Sequence, residues 1–193
     1  MKSKYCIIFT VIFSSGLVFA ESPTDRFNDQ YYARYFTGWK GIVFTCNFDA
    51  QDKVLEQIYQ QAMVDIKMLA STNDVQLIMA RSNDLSDASS LAKFKDFIIL
   101  EYDLTSTKTV GKDVVKAVNA RLFFKIIYLN AVDNNEMPGS LGGFPRPGNL
   151  EIWERTQIGK GRTDRIAKSF SNHAKQMFRQ ALSLFSEYSK IKR

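Results

Sequence analysis

TDRIAKSFSNHAKQMFRQALSLFSEYSKI, residues 163–191, carries the strongest structural pattern in this chain of 193 residues. Its apolar side chains recur at steps of three and four, the spacing of one helix face. These residues are Ile166, Phe170, Ala174, Met177, Ala181, Leu184, Tyr188 and Ile191. The pattern predicts an amphipathic helix of about 28 residues, about 42 Å long at 1.5 Å per residue. Because its single apolar stripe must be buried, we expect it to lie on a sheet.

Upstream of this helix, the sequence predicts a strand–helix–strand unit. Residues 41–48 alternate as a strand, and residues 75–80 form a second short apolar run. Between them, the residues up to Ser71 carry one apolar stripe, and Asp49 is expected to cap the helix that they form. Two strands joined by a helix usually pair in parallel with a right-handed crossover.

Three more strands are predicted before the last helix, over residues 97–104, 118–128 and 150–158. Their connections suit antiparallel pairing, and Gly159-Lys160-Gly161 is expected to end the last of them. The fold class is therefore α+β: a two-layer α/β sandwich with a mixed sheet of about five strands in β-α-β-β-β-β order. The two main helices are expected to cover one face of this sheet.

Residues 1–20 read as a signal peptide. Lys2 and Lys4 precede a short apolar run, and the small residue Ala20 ends a sequence that suits cleavage. The apolar run is too short to span a membrane, which takes about 20 residues. We therefore expect cleavage after Ala20, a periplasmic or secreted product, and no transmembrane segment after cleavage.

The rest of the chain divides into residues 21–40, an aromatic-rich N-terminal arm, and residues 41–193, a single α/β domain. The arm holds six aromatic residues: Phe27, Tyr31, Tyr32, Tyr35, Phe36 and Trp39. They fit either a stacking platform for a sugar or peptide, or an arm that packs across the core.

Metal and cofactor chemistry finds little support in this sequence. After cleavage, His173 and Cys46 are the single histidine and cysteine, without the paired spacing of a metal site. We predict no metal and no cofactor. Cys46 lies within an apolar strand, which favours an inert thiol, with a disulfide to a partner protein as the alternative.

Paired carboxylates offer one route to catalysis. Glu101 and Asp103 share a strand face, and on another strand Glu151 is expected to share a face with Trp153 and Arg155. A glycosidase uses two such groups, so an enzyme acting on cell-wall glycan is one alternative function. Charged residues that alternate along a solvated strand are commoner, so no residue is assigned as catalytic.

The segment between the last two strands is rich in glycine and proline. Two X-Pro bonds flank Arg146 in residues 137–148, and Leu141 and Phe144 lie close to it in sequence. Phenylalanine and arginine held at low entropic cost are typical of binding surfaces. We therefore predict that Leu141, Phe144 and Arg146 contact a protein partner, with a flexible hairpin tip as the alternative.

Positive charge is concentrated near the C-terminus. Residues 160–193 carry a net charge of +7 and residues 21–159 carry −3. By composition, the chain as a whole is therefore not a nucleic-acid-binding protein. The predicted anion-binding residues are Lys160, Arg162, Lys168, Lys175 and Arg179. Their ligand would be an anionic surface, such as lipid or nucleic acid, and a solvated helix face is the alternative interpretation.

The element order from Gly41 to Tyr188, with its long helix up to Ser71, resembles small exported bacterial α/β domains of envelope assembly. These are the lipopolysaccharide-assembly lipoprotein and the N-terminal domains of curli-type secretion lipoproteins. The resemblance implies a non-enzymatic accessory protein that binds a partner in an envelope or secretion assembly. This chain lacks the lipid-attachment cysteine of those families, so the resemblance does not imply a lipid anchor.

Overall fold

The structure is a computed structural model that describes residues 29–85, 92–107, 115–128 and 148–190. Its helices are α1 (Asp29–Phe36), α2 (Lys53–Thr72) and α3 (Thr163–Ser189), with a 3₁₀ turn at Ser82–Leu85. Its strands are β1 (Gly41–Asn47), β2 (Leu77–Met79), β3 (Phe97–Ser106), β4 (Val115–Tyr128) and β5 (Gly148–Arg162).

The five strands form one mixed sheet in the order β2-β1-β3-β4-β5. β1 pairs in parallel with both β2 and β3, and β3, β4 and β5 pair antiparallel in succession. The predicted fold class, an α+β sandwich with a mixed five-stranded sheet and two main helices, is confirmed.

The apolar stripe of α3 faces the sheet, as the spacing predicts. Phe178 is fully buried, and its ring meets Phe44 of β1 and Tyr102 of β3 edge-on, with centroids 5.6 and 5.4 Å apart. One helix residue therefore joins two neighbouring strands. α2 lies beside α3, so the two helices together cover this face of the sheet.

The aromatic residues at the end of α1 pack into the same core. The buried members are Tyr32, Tyr35, Phe36 and Trp39. The Phe36 ring meets Phe124 of β4 edge-on at 4.9 Å and Phe185 of α3 at 6.2 Å. These side chains therefore pack across the core and do not form an exposed stacking platform. The side chains of Phe27 and Tyr31 lie outside the described residues.

The N-cap of α2 is Asp52, so the expectation of Asp49 is wrong. Asp52 Oδ1 accepts hydrogen bonds from two backbone amides of the first turn, whereas Asp49 belongs to the turn that leaves β1. The other oxygen of Asp52 accepts hydrogen bonds from Ser106 Oγ and Lys116 Nζ. Burial alone would raise the pKa of Asp52, but these hydrogen bonds lower it below its ordinary value. The cap thus also fastens α2 to the β3–β4 pair.

A β-bulge in β5 interrupts the alternation that the sequence predicts. Phe124 of β4 is paired with Trp153. The next residue of β4, Lys125, is paired with Glu151, which leaves Ile152 as an extra residue. Every side chain after the bulge therefore changes face. Ile158, which uninterrupted alternation would place on the same face as the buried Ile152, is 66% exposed.

β5 also runs four residues further than expected, to Arg162. Gly159, Lys160 and Gly161 continue the strand because they pair with residues 116–118 of β4. The predicted break at these glycines is therefore wrong. The strand ends at Arg162, and α3 begins at the next residue without a side-chain cap.

Candidate functional site

The sheet face that points away from α2 and α3 carries most of the polar side chains of the central strands. Tyr102 of β3 points towards α3. Because side chains alternate along a strand, Glu101 and Asp103 on either side of it point to the opposite face. We call this surface the polar face and define it by Asn47, Glu101, Asp103, Arg121, Lys125, Glu151 and Glu154.

Glu101 lies at the centre of the polar face and is largely buried. It accepts hydrogen bonds from Lys125 Nζ and from Asn47 Nδ2. The side chains of Lys125 and Glu101 are 15% and 10% exposed, so this ion pair is shielded from solvent. Asn47 Nδ2 also donates to Asp103 Oδ1 at 2.8 Å, so one amide bridges two carboxylates.

Asp103 has the unusual electrostatics of this group. Burial and the nearby negative charge of Glu101 raise the pKa of Asp103, and the hydrogen bond from Asn47 and the charge of Arg121 oppose them. Asp103 and Asn47 also line a cleft of about 480 Å³ at the carboxyl ends of β1 and β3. In α/β sheets, ligands bind outside the carboxyl ends of parallel strands. A half-buried carboxylate with a raised pKa at such a cleft is a candidate acid–base group.

Arg121 organises the other half of the polar face. Its guanidinium donates to Glu151 and, at 2.9 Å, to Glu154, both on β5. It also lies 4.4 Å from the ring centre of Phe123. The hydrogen bond from Arg121 holds the pKa of Glu154 below its ordinary value, although burial opposes it. These contacts neutralise both glutamates and join β4 to β5.

The structure thus brings together only part of the predicted carboxylate set. Glu101 and Asp103 share Asn47, whereas Glu151 lies two strands away and binds Arg121. Asn47 is not among the site residues predicted from the sequence. Its position two residues before Asp49, at the end of a strand, was the available signal.

Several predicted residues lie outside the described part of the chain. Leu141, Phe144 and Arg146 fall in residues 129–147, and the signal peptide falls in residues 1–28. Their roles stay predictions.

The predicted anion-binding residues separate into two places. Lys160 and Arg162 are exposed at the end of β5. Lys168 and Lys175 line a groove of about 750 Å³ between α2 and α3, called the helix groove below. Arg179 is exposed one turn beyond Lys175.

The histidine and the described cysteine have ordinary environments. His173 Nδ1 lies 2.9 Å from the Ser169 carbonyl oxygen, one turn earlier in α3. Burial, followed by the charges of Asp103 and Glu101, raises the pKa of the Cys46 thiol. Cys46 is therefore protonated at neutral pH, the unreactive form.

Metal-binding clusters and membrane-spanning helices are absent from the residues that the structure describes. These residues contain no group of three or more histidine, cysteine or carboxylate side chains placed to hold a metal ion. Within the same ranges, no helix combines the length and the apolar character needed to cross a membrane.

Comparison with known proteins gives a distant structural likeness. No family model matches the chain, and no curated protein matches it. Among solved structures, the chain is similar to a PelC dodecamer from Paraburkholderia phytofirmans at 10% identity and a TM-score of 0.38. The alignment covers 78% of this chain and 90% of that chain. A score this low does not establish a common fold.

Proposed function

We propose that this protein is an exported, non-enzymatic binding module that assists an envelope or secretion assembly. It would hold a protein partner along the outer edge of β5. One observation carries this proposal: within the described residues, β5 is a strand of 15 residues that pairs with β4 alone and ends the sheet.

The two edges of the sheet differ in length. β2 offers three residues, whereas β5 extends for about 50 Å at 3.3 Å per residue. An edge strand has backbone N–H and C=O groups without strand partners, and an extended segment of another protein pairs with such groups. The β5 edge therefore offers more backbone groups for pairing with a partner strand than the β2 edge does.

The surroundings of β5 support binding there. The bulge at Ile152 distorts the start of the strand, which leaves residues 154–162 as the regular stretch. Ile158 is one of three exposed large apolar residues in the described part of the chain, and it provides an anchor beside the edge. The predicted contact residues Leu141, Phe144 and Arg146 precede β5 directly in sequence.

A matched pair of substitutions tests this proposal. Ile158→Asp places a charge beside the edge, and Val64→Asp makes the same kind of change at a 61% exposed position on α2. We expect Ile158→Asp to abolish recovery of a defined partner from envelope extract and Val64→Asp to preserve it. Hydrogen exchange should show that the amides of residues 154–162 gain protection when the partner binds.

Two results would count against the β5 edge. Equal recovery with both aspartate variants would show that Ile158 is not at the interface. Unchanged exchange of the β5 amides in the complex would exclude strand pairing. If the double variant Phe144→Ala, Arg146→Ala alone abolished recovery, the segment that precedes β5 in sequence would be the binding surface.

A second candidate function rests on Asp103. Its raised pKa and its position at the cleft favour a glycan-acting enzyme in which Asp103 is the acid–base group. Glu101 and Glu151 would then have supporting roles: each forms an ion pair with a basic side chain and holds that side chain in position. Hydrolysis of purified cell-wall glycan, and its loss in Asp103→Asn, would establish this alternative.

Asp103→Asn also makes a prediction about stability. A carboxyl whose pKa is raised by folding keeps its proton to higher pH in the folded protein than in the unfolded chain. Asp103 therefore costs stability as the pH rises from the ordinary aspartate pKa of about 3.9 through its raised pKa in the folded protein. We expect Asp103→Asn to match the original protein in acid below this window and to be more stable at pH 7. Urea unfolding at both pH values measures the difference, and a less stable variant at pH 7 would contradict it.

A further inference from the structure

The helix groove is a second concave surface, on the other side of the molecule from the polar face. α2 contributes the amide side chains of Gln57, Gln60 and Gln61 to one wall. α3 contributes Lys168, Asn172 and Lys175 to the other. The groove arises because the two helices lie side by side on one sheet face, so their outer side chains form two facing rows.

Asp65 lies at the base of the helix groove and contacts one residue on each wall, Gln61 and Lys175. Its carboxylate is buried and accepts a hydrogen bond from Gln61 Nε2 at 3.2 Å. Lys175 Nζ lies 3.6 Å from its other oxygen, an ion pair that is too long for a hydrogen bond. Asp65 thus fixes Gln61 and Lys175 in place while the ammonium protons of Lys175 stay available to a ligand.

The basic row continues along α3. Lys168, Lys175 and Arg179 lie on one side of the helix, and their backbones span about 16 Å of its axis. Neither Lys168 nor Arg179 has an ion-pair partner among the described residues, and both are exposed. The groove lining holds two basic side chains against one acidic side chain, Asp65, and Arg179 adds a further positive charge one turn along, so this row favours an extended anion.

The lining decides what kind of anion fits. Apart from Val64, every lining residue carries a polar or charged side chain. A peptide helix binds in a groove through apolar contacts, which this surface does not supply. Carboxamides and hydroxyls donate and accept hydrogen bonds, as a chain rich in hydroxyl groups requires. We propose that the helix groove binds an acidic oligosaccharide, with its carboxylates on Lys168 and Lys175 and its hydroxyls on the amide row.

This inference goes beyond the proposed function, because the groove and the β5 edge share no residue. The two proposals therefore fail separately. Ile158→Asp should leave saccharide binding unchanged, and Lys168→Gln should leave recovery of the protein partner unchanged.

Oligogalacturonate and its methyl ester form a suitable probe pair, since they share a backbone and differ in charge. We expect calorimetry at low salt to detect binding of the acid form and none of the ester. Lys168→Gln should weaken binding about tenfold, the value of one charge-assisted hydrogen bond. Lys190→Gln is the control: it removes the same charge from the exposed C-cap position of the same helix, about 22 Å beyond Lys175.

Three outcomes would overturn the proposal. Equal loss in Lys168→Gln and Lys190→Gln would indicate general charge attraction. Equal binding of the acid and the ester would remove the role of the carboxylates. Anionic vesicles or single-stranded DNA that bind more tightly than the saccharide, with the same loss in Lys168→Gln, would assign the groove to a different ligand.

Discussion

Phe178→Ala is expected to destabilise the protein by about 3–5 kcal/mol, the usual cost of removing a buried phenylalanine ring. The ring is fully buried and contacts one aromatic residue on each of two strands, Phe44 and Tyr102. The space left by the ring cannot be refilled without moving α3 or the sheet. The loss is a large part of the about 5–15 kcal/mol that stabilises a typical domain. Urea unfolding followed by circular dichroism measures it.

Arg179→Ala is the control for this prediction. It truncates the next residue of the same helix, which is exposed, and should change stability by less than about 0.5 kcal/mol. If Phe178→Ala cost as little as Arg179→Ala, then α3 would not be packed on the sheet in solution. The two-layer architecture would then be wrong.

The features that the sequence predicts well are those with a local physical cause. α3 follows from the spacing of its apolar residues, because residues at steps of three and four share one face only in a helix. The crossover between β1 and β2 follows from the helix between them, and the antiparallel strands follow from the order of strands without such a helix.

The features that the sequence misses depend on contacts between distant residues. Ile152 looks like an ordinary member of an alternating strand, and only its pairing with β4 makes it an extra residue. Gly159 and Gly161 look like a break, but β4 begins early enough to pair with them. Asp49 and Asp52 are equally good caps by type, and the length of the turn after β1 selects Asp52.

The same distinction holds for the candidate site. Alternation places Glu101 and Asp103 on one strand face, so their proximity was predictable. Their shared partner Asn47 and the partner of Glu101, Lys125, come from two different neighbouring strands. The strand order decides that arrangement, and the sequence alone does not supply the order.

Lys125→Met is the second substitution with a large expected effect. It keeps the length of the side chain and removes the charge that neutralises Glu101, whose side chain is 10% exposed. A buried carboxylate that loses its basic partner typically costs about 3–5 kcal/mol. Asn47 continues to donate one hydrogen bond but supplies no positive charge. Urea unfolding at pH 7 should show a clearly lower midpoint.

Two further variants decide whether burial is the reason. Glu151→Gln breaks an ion pair on the same polar face, but its side chain is 42% exposed, so we expect a cost below about 1 kcal/mol. The double variant Lys125→Met, Glu101→Gln removes both charges of the buried pair and should recover most of the lost stability, since no charge is then left without a partner. A double variant as unstable as Lys125→Met would mean that the loss comes from packing and not from the charge. Packing, and not ion pairing, would then stabilise the polar face. Its carboxylates would in that case be candidates for a catalytic role and not for a structural role between strands.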